Sequence, residues 1–156
     1  MDKPVKLSDI LDGMEMQGEE SPCYLDLETG SVVFLSTDIQ SAATGDKPVE
    51  DLSEWMRGGV TALRRIDAGE TNFIGLPDRF EIDEYDMMRD FAYSVEDADV
   101  SAELLDAISG AGAFRMFRST VHRRRIEKQW YAFRDDAYKQ IARDWCESHH
   151  LSYTED

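Results

Sequence analysis

Apolar residues near the start of the chain are spaced as on one face of an α-helix and then alternate as in a β-hairpin. The helical spacing i, i+3, i+4 and i+7 is held by Leu7, Ile10, Leu11 and Met14. We therefore predict a helix over residues 5–16, with Ser8 near its start as a cap. Residues 23–27 alternate apolar and polar, residues 31–35 are rich in β-branched and aromatic residues, and Gly30 between them can take a positive φ. These two segments are predicted to pair as a hairpin.

The next part of the chain is predicted to hold a loop, an interrupted helix and a third strand. Residues 36–48 are small, polar and glycine-containing, which is typical of a loop. A helix carrying several apolar residues follows, and we expect Gly58 and Gly59 to end or kink it. Residues 72–76 read as a short strand that Pro77 ends, most simply a third strand beside the hairpin.

Helical periodicity continues through the C-terminal half. Four helices are expected, over residues 82–95, from Ser101 as a cap to the glycines at 110–112, over residues 113–123 and over residues 126–149. The resulting fold class is α+β and mainly helical, with a small antiparallel sheet of about three strands packed on C-terminal helices. The length fits a single domain over residues 1–156.

Charge is distributed unevenly along the chain. The formal net charge is −16, yet residues 1–112 carry 8 basic and 26 acidic residues, whereas residues 113–156 carry 9 and 7. A cationic segment therefore lies in an acidic protein. The overall negative charge argues against nucleic acid or an anionic membrane as the partner of the protein outside this segment. No apolar run in the sequence reaches membrane-spanning length.

The cysteines and histidines favour a cytoplasmic protein without a metal or cofactor. Cys23 and Cys146 lie far apart and lack the paired spacing of a zinc site, so we expect a reducing compartment. The N-terminus lacks the uninterrupted apolar core of a signal peptide. His122 is isolated, His149 and His150 lie near the end of the chain, and the acidic clusters lack the spacing of a calcium loop.

The cationic segment offers one candidate anion site. Gly110 and Gly112 precede a helix that carries Arg115, and backbone N–H groups at such a helix start can hold a phosphate. The alternative, which we favour, is that the glycines close one helix and turn the chain into the next. The segment lacks the Gly-Lys-Ser/Thr ending of a P-loop, and no predicted strand precedes it. The sequence therefore does not support a nucleotide site here.

Four cationic residues of the same segment share one helix face, Arg115, Arg118, His122 and Arg125. This face is predicted either to contact an anion or nucleic acid, or to pair with acids of the chain such as Glu103, and we favour the pairing. Phe114 is expected on the neighbouring, buried face. If the chain is an enzyme, His122 is the best acid–base candidate, with the arginines holding an anionic substrate. No motif specifies a reaction, so no catalytic residue is assigned.

Aromatic residues crowd the last predicted helix. They are Trp130, Tyr131, Phe133 and Trp145. Trp130 and Phe133 lie on its apolar stripe and are expected in the core. An exposed Trp or Tyr on this helix would instead suit an interface, including one between two copies of the chain.

The chain contains the sequence blocks Gly112–Phe117, Trp130–Phe133 and Asp144–Trp145, with Asp83–Met88 earlier in the chain. These blocks resemble an uncharacterised bacterial protein family of the UPF series. The resemblance covers nearly the whole chain and implies a bacterial cytosolic domain, with no catalytic residues to carry over. Family members often have a basic residue between the glycines, where this chain has Ala111, and this departure weakens the phosphate-site hypothesis.

The function expected from these observations is non-enzymatic binding or regulation through protein–protein contacts. Two alternatives stay open. One is an anion-binding or enzymatic site around Arg115, Arg118 and His122, and the other is a structural homodimerisation module formed by the last helix.

Overall fold

The computed structural model describes residues 4–78 and 81–155, and these form two compact units. Unit 1 comprises Met1–Arg79 and Ala142–Asp156, and unit 2 comprises Phe80–Ile141. The described residues contain seven α-helices, and their fold class is α+β and mainly helical, as predicted.

The elements of unit 1 are five strands, three helices and a short 3-10 helix. The strands are β1 (Val5–Lys6), β2 (Cys23–Asp26), β3 (Ser31–Phe34), β4 (Phe73–Gly75) and β5 (Tyr153–Thr154). The helices are α1 (Leu7–Met16), α2 (Thr37–Thr44) and α3 (Glu54–Asp67), and the 3-10 helix is Val49–Asp51. Unit 2 contains α4 (Glu84–Ser94), α5 (Ala98–Ala107) and α6 (Ala113–Arg123). The last helix, α7 (Glu127–Ser148), supplies residues to both units.

The main sheet has the strand order β3-β2-β4 and is antiparallel throughout. Tyr24 of β2 lies opposite Val33 of β3 on one side and opposite Gly75 of β4 on the other. The predicted hairpin and third strand are therefore confirmed. A second, parallel pair joins β1 and β5 near the two ends of the chain, and strands of two residues are too short to show an alternating pattern.

Helices pack on the main sheet in unit 1. Helix α1 comes close to it at Gly13, where an added Cβ would lie 2.5 Å from Leu76 Cδ2 and 3.1 Å from Val32 Cγ1. A cluster of Leu35, Ile39 and Val60 is covered by Tyr24, Val33 and residues of α2 and α3. The C-terminal part of α7 also reaches the sheet, because Trp145 Nε1 donates a hydrogen bond of 3.2 Å to the carbonyl of Gly75.

The loop predicted over residues 36–48 is wrong, since this segment contains α2. Ser36 caps the helix by accepting a hydrogen bond from the Ile39 N–H, and the Ile39 side chain is buried. The predicted interruption at Gly58 and Gly59 is wrong for a related reason. Helix α3 runs through both glycines, and Gly59 lies against Ile39.

Unit 2 is organised around aromatic rings. The rings of Phe91, Phe117 and Trp130 have centroids 4.8–6.2 Å apart, and Phe133 lies 5.4 Å from Phe91. Edge-on and tilted contacts of this kind add to the apolar burial. Ser101, predicted as a helix cap, instead lies inside α5 and donates to the carbonyl of Ala92 at 2.7 Å.

An acidic residue caps each of the first two helices of unit 2. Asp83 accepts a hydrogen bond from the N–H of Asp86 at the start of α4, and Asp97 accepts from the N–H groups of Asp99 and Val100 at the start of α5. Capping by a carboxylate satisfies backbone donors and suits the helix dipole. Two of the many acidic residues in this region, Asp83 and Asp97, therefore serve as helix caps.

Candidate functional site

Helix α6 presents apolar and cationic side chains side by side. Phe117, Thr120 and Val121 are its buried residues, and the helix contains no Asp or Glu. We define the α6 surface as the exposed side chains of Phe114, Arg115, Arg118 and His122, which lie on the same side of the helix.

Phe114 does not lie on the buried face, as the sequence led us to expect, and this prediction is wrong. Its side chain is 48% exposed and that of Met116 is 46% exposed. Phe114 lies three residues before Phe117, which sets it about 60° away around the helix axis. It therefore lies at the margin of the buried stripe.

The arginines near α6 divide into two groups. Arg123 and Arg124 both pair with Glu103, and the Arg123 Nη2–Glu103 Oε1 distance is 2.7 Å. Their hydrogen bonds and charges hold the pKa of Glu103 below its usual value against the opposing effect of burial, the Arg124 hydrogen bond being the largest contribution. Within residues 4–78 and 81–155, Arg115, Arg118 and Arg125 form no ion pair. The pairing expected for the arginines of the predicted cationic face is therefore absent among the described residues, and Glu103 pairs instead with two arginines outside that face.

The glycines before α6 form the turn between two helices. Helix α5 ends at Ala107, and Gly112 occupies the position before α6 with a left-handed φ of 72° and no side-chain cap. An L-residue other than glycine rarely adopts this conformation. A Cβ added at Gly112 would lie 3.9 Å from the Arg115 guanidinium, whereas Gly110 is exposed with open space around it.

His122 lies in solvent and is not enclosed with the arginines. Its side chain is 88% exposed, and its Nδ1 lies 3.1 Å from Oε1 of Glu127. A general acid–base gains its altered pKa from burial and close neighbours. The geometry around His122 therefore offers no enclosed site for acid–base chemistry.

A polar cluster that the sequence did not predict joins α4 to α7 within unit 2. Glu84 Oε1 accepts hydrogen bonds from Tyr138 Oη at 2.5 Å and from Arg134 Nη2 at 2.7 Å. The Arg134 guanidinium also lies over the Tyr138 ring, 4.3 Å from its centroid. The spacing i, i+4 of Arg134 and Tyr138 on α7 was the available sequence signal, but nothing pointed to Glu84 as their partner.

The environment of Glu84 favours its charged form. Burial raises the pKa of this carboxyl, but the hydrogen bonds from Tyr138 and Arg134 outweigh it, and the charges of Arg134 and Arg118 act in the same direction. The net result is a pKa below the usual value. Arg118 of the α6 surface therefore also acts on this cluster through its charge.

The aromatic candidates of α7 differ in exposure. Trp130 and Trp145 are buried, and Phe133 is half-buried against Phe91. Of these four candidates, only Tyr131 is exposed.

The described ranges contain no metal-ligand cluster and no membrane span. No group of three or more His, Cys, Asp or Glu side chains in residues 4–78 and 81–155 is placed to hold a metal ion. In the same ranges, no helix has both the length and the apolar character needed to cross a membrane.

Comparison with known proteins gives a family and no assigned activity. No curated protein and no solved structure matches the chain. A match over residues 2–156 is found with the family described as "Uncharacterised protein family (UPF0158)". Since this match spans nearly the full length, the chain belongs to the uncharacterised protein family UPF0158.

Proposed function

We propose that this protein is a non-enzymatic binding or regulatory domain that docks an acidic partner protein on the α6 surface. The observation that carries the proposal is the exposure of Phe114 beside two arginines of the same helix, Arg115 and Arg118, that form no ion pair with a described residue. Aromatic residues and Arg are enriched in protein–protein interfaces and in the residues that dominate binding energy. The α6 surface has that composition.

Charge supports an acidic partner. Helix α6 has no carboxylate, whereas the chain as a whole has a formal charge of −16. An acidic protein is repelled by most of this chain and attracted to the α6 surface, which favours one docking orientation. Arg115 and Arg118 then supply charge-assisted hydrogen bonds to carboxylates, and Phe114 supplies an apolar anchor.

A second candidate is a small anion held by Arg115 near Gly112. It is favoured by the position of the Arg115 guanidinium, 3.9 Å from the point where a Cβ on Gly112 would lie. Phosphate titration separates the two candidates. A bound small anion would shift the backbone amide signals of Ala113 and Phe114 at millimolar phosphate, whereas protein docking depends on the Phe114 ring.

We also propose that this docking takes place in the cytoplasm. Cys23 and Cys146 are free thiols, and both are buried. Burial raises the pKa of the Cys23 thiol to about 11, and burial with the charge of Glu147 does the same for Cys146. Such thiols stay protonated and suit a reducing compartment.

Photo-crosslinking in living cells tests the docking proposal. A photoreactive phenylalanine analogue replaces Phe114 in one sample and Tyr93 in the control. Tyr93 is 69% exposed and has the acids Asp90, Glu96 and Asp97 near it in sequence. We expect a discrete protein adduct at position 114 that is absent at position 93 and is lost when Arg118→Glu is added. Equal adducts at both positions, or none at 114, would overturn the proposal.

A further inference from the structure

The backbone groups of β3 divide between a paired and an open side. In an antiparallel ladder, successive residues direct their N–H and C=O groups alternately toward a given neighbour and away from it. The N–H of Leu35 donates to the carbonyl of Pro22 of the β2 side at 2.9 Å. Val33, two residues earlier and opposite Tyr24, therefore also directs its N–H and C=O groups toward β2. The N–H and C=O groups of the intervening residues, Val32 and Phe34, therefore point away from β2.

The opposite edge of the sheet is covered. On β4, the N–H of Leu76 donates to the carbonyl of Cys23 at 3.1 Å, so the backbone of the preceding residue, Gly75, points outward. The Gly75 carbonyl accepts a hydrogen bond from Trp145 Nε1 at 3.2 Å. An indole from α7 thus occupies the outer edge of β4. Proteins commonly cover sheet edges in this way because an open edge is a template for another strand.

The β3 edge has no such cover in the described part of the chain. The backbone N–H groups of Val32 and Phe34 donate no hydrogen bond there. Both residues line a groove of about 330 Å³ between β3 and α1. On the α1 side the groove is lined by Asp9, Asp12 and Met16, and the Met16 side chain is exposed.

We propose that β3 binds an extended segment of a partner protein as an added strand, with basic side chains at alternate positions facing Asp9 and Asp12. Alternate side chains of an added strand point to the same face of the sheet, so every second residue of the segment faces α1. Lysine or arginine there meets two carboxylates, and their alkyl stems contact Met16. Main-chain hydrogen bonds to Val32 and Phe34 fix the register.

A second copy of the chain is a poorer occupant of this edge. Pairing of β3 with β3 would bring Asp9 and Asp12 of the α1 helix in one copy toward the same acids of the other, and these like charges repel. Helix α6 carries cationic residues of this chain, but it is helical and not extended. The β3 edge and the α6 surface are different surfaces of the protein. Binding at the β3 edge therefore does not depend on the function proposed for the α6 surface.

Amide exchange with a designed peptide tests the proposal. The probe is the octapeptide Lys-Val repeated four times, and its control, Lys-Lys-Val-Val repeated twice, has the same composition and charge without the alternation. With the full chain saturated by the probe, we expect exchange of the Val32 and Phe34 amides to slow at least tenfold. The control peptide is expected to leave both rates within a factor of about two, and Phe114→Ala to leave probe binding unchanged.

Variants of the groove separate edge pairing from general attraction to an acidic protein. Val32→Pro removes a donor that the sheet does not use, and Asp12→Lys reverses one charge. Each is expected to weaken probe binding at least tenfold, whereas Asp46→Asn, at an exposed acid outside the groove lining, changes it less than twofold. Asp12→Lys keeps the test valid if Val32→Pro fails to fold. Equal binding of both peptides, or protection elsewhere than β3, would overturn the proposal. If protection of the Val32 amide rises with protein concentration in the absence of peptide, a second copy of the chain occupies the edge. That result would also overturn the proposal.

Discussion

Gly59 of α3 lies so close to Ile39 of α2 that a Cβ added to the glycine would lie 2.8 Å from Ile39 Cδ1 and 3.0 Å from Ile39 Cγ2. Ile39 is buried, so its side chain has little room to move. The glycine pair that reads as a helix break in the sequence therefore contains a packing contact. Its neighbour Gly58 is exposed, and a Cβ there would meet open space.

Alanine substitutions at the two glycines are expected to act in opposite directions. Gly58→Ala gains helix propensity and should raise the free energy of unfolding by about 0.5–1 kcal/mol. Gly59→Ala gains the same propensity but overpacks Ile39, which costs about 1–3 kcal/mol. Urea unfolding monitored by circular dichroism gives both values. If Gly59→Ala is as stable as Gly58→Ala, the contact between α2 and α3 is not as tight as described.

The sheet could be predicted from the sequence because its signals are local. The alternation in residues 23–27, the β-branched and aromatic residues within 31–35 and the proline after residue 76 are each visible within a few residues. Helix α2 was missed because its evidence is tertiary. The capping role of Ser36 depends on helical geometry, and the apolar role of Ile39 depends on Gly59 lying 20 residues further on.

The candidate site was predicted only in part, because only some of its evidence is local in the sequence. The helical face carrying Arg115 and Arg118 follows from periodicity alone. The exposure of Phe114 does not, because a residue at the margin of a buried stripe is covered or exposed according to what packs beside it. Glu84 and Arg134 are 50 residues apart, so no local pattern joins them.

Removing the charge of Glu84 should destabilise the protein in a pH-dependent way. At pH 7, Glu84→Gln removes a charged acceptor of the hydrogen bonds from Arg134 and Tyr138, and we expect a loss of about 1–2 kcal/mol. Because the folded pKa of Glu84 is lowered, its contribution is fully present above the ordinary value of about 4.3 and is lost as the pH falls through the lowered folded value. The difference from wild type should therefore shrink below about pH 4.

The matched control for this prediction is Glu28→Gln. Glu28 pairs with Arg65 at 3.3 Å, but its side chain is well exposed, so the expected change is under about 0.5 kcal/mol. Thermal or urea unfolding at pH 7 and near pH 3 measures both variants. Equal losses for the two variants at pH 7, or a Glu84→Gln loss that is no smaller near pH 3 than at pH 7, would contradict the role of the cluster.

The chain is expected to unfold as a single domain, although its contacts form two units. Helix α7 contributes Trp130 to the core of unit 2 and Trp145 to that of unit 1, so melting this helix removes core residues from both. Differential scanning calorimetry should give one transition, with calorimetric and van't Hoff enthalpies that agree. Two resolved transitions would show that the units unfold independently.

Phe114 is proposed to anchor a partner protein on the α6 surface. The decisive measurement is the dissociation constant of the partner that crosslinks at position 114, determined by titration calorimetry with wild type, Phe114→Ala and Tyr93→Ala. We expect Phe114→Ala to weaken binding about 30-fold, corresponding to an interface hot spot of about 2 kcal/mol, and Tyr93→Ala to change it less than about threefold. An unchanged dissociation constant for Phe114→Ala, or an equal loss for Tyr93→Ala, would contradict the claim.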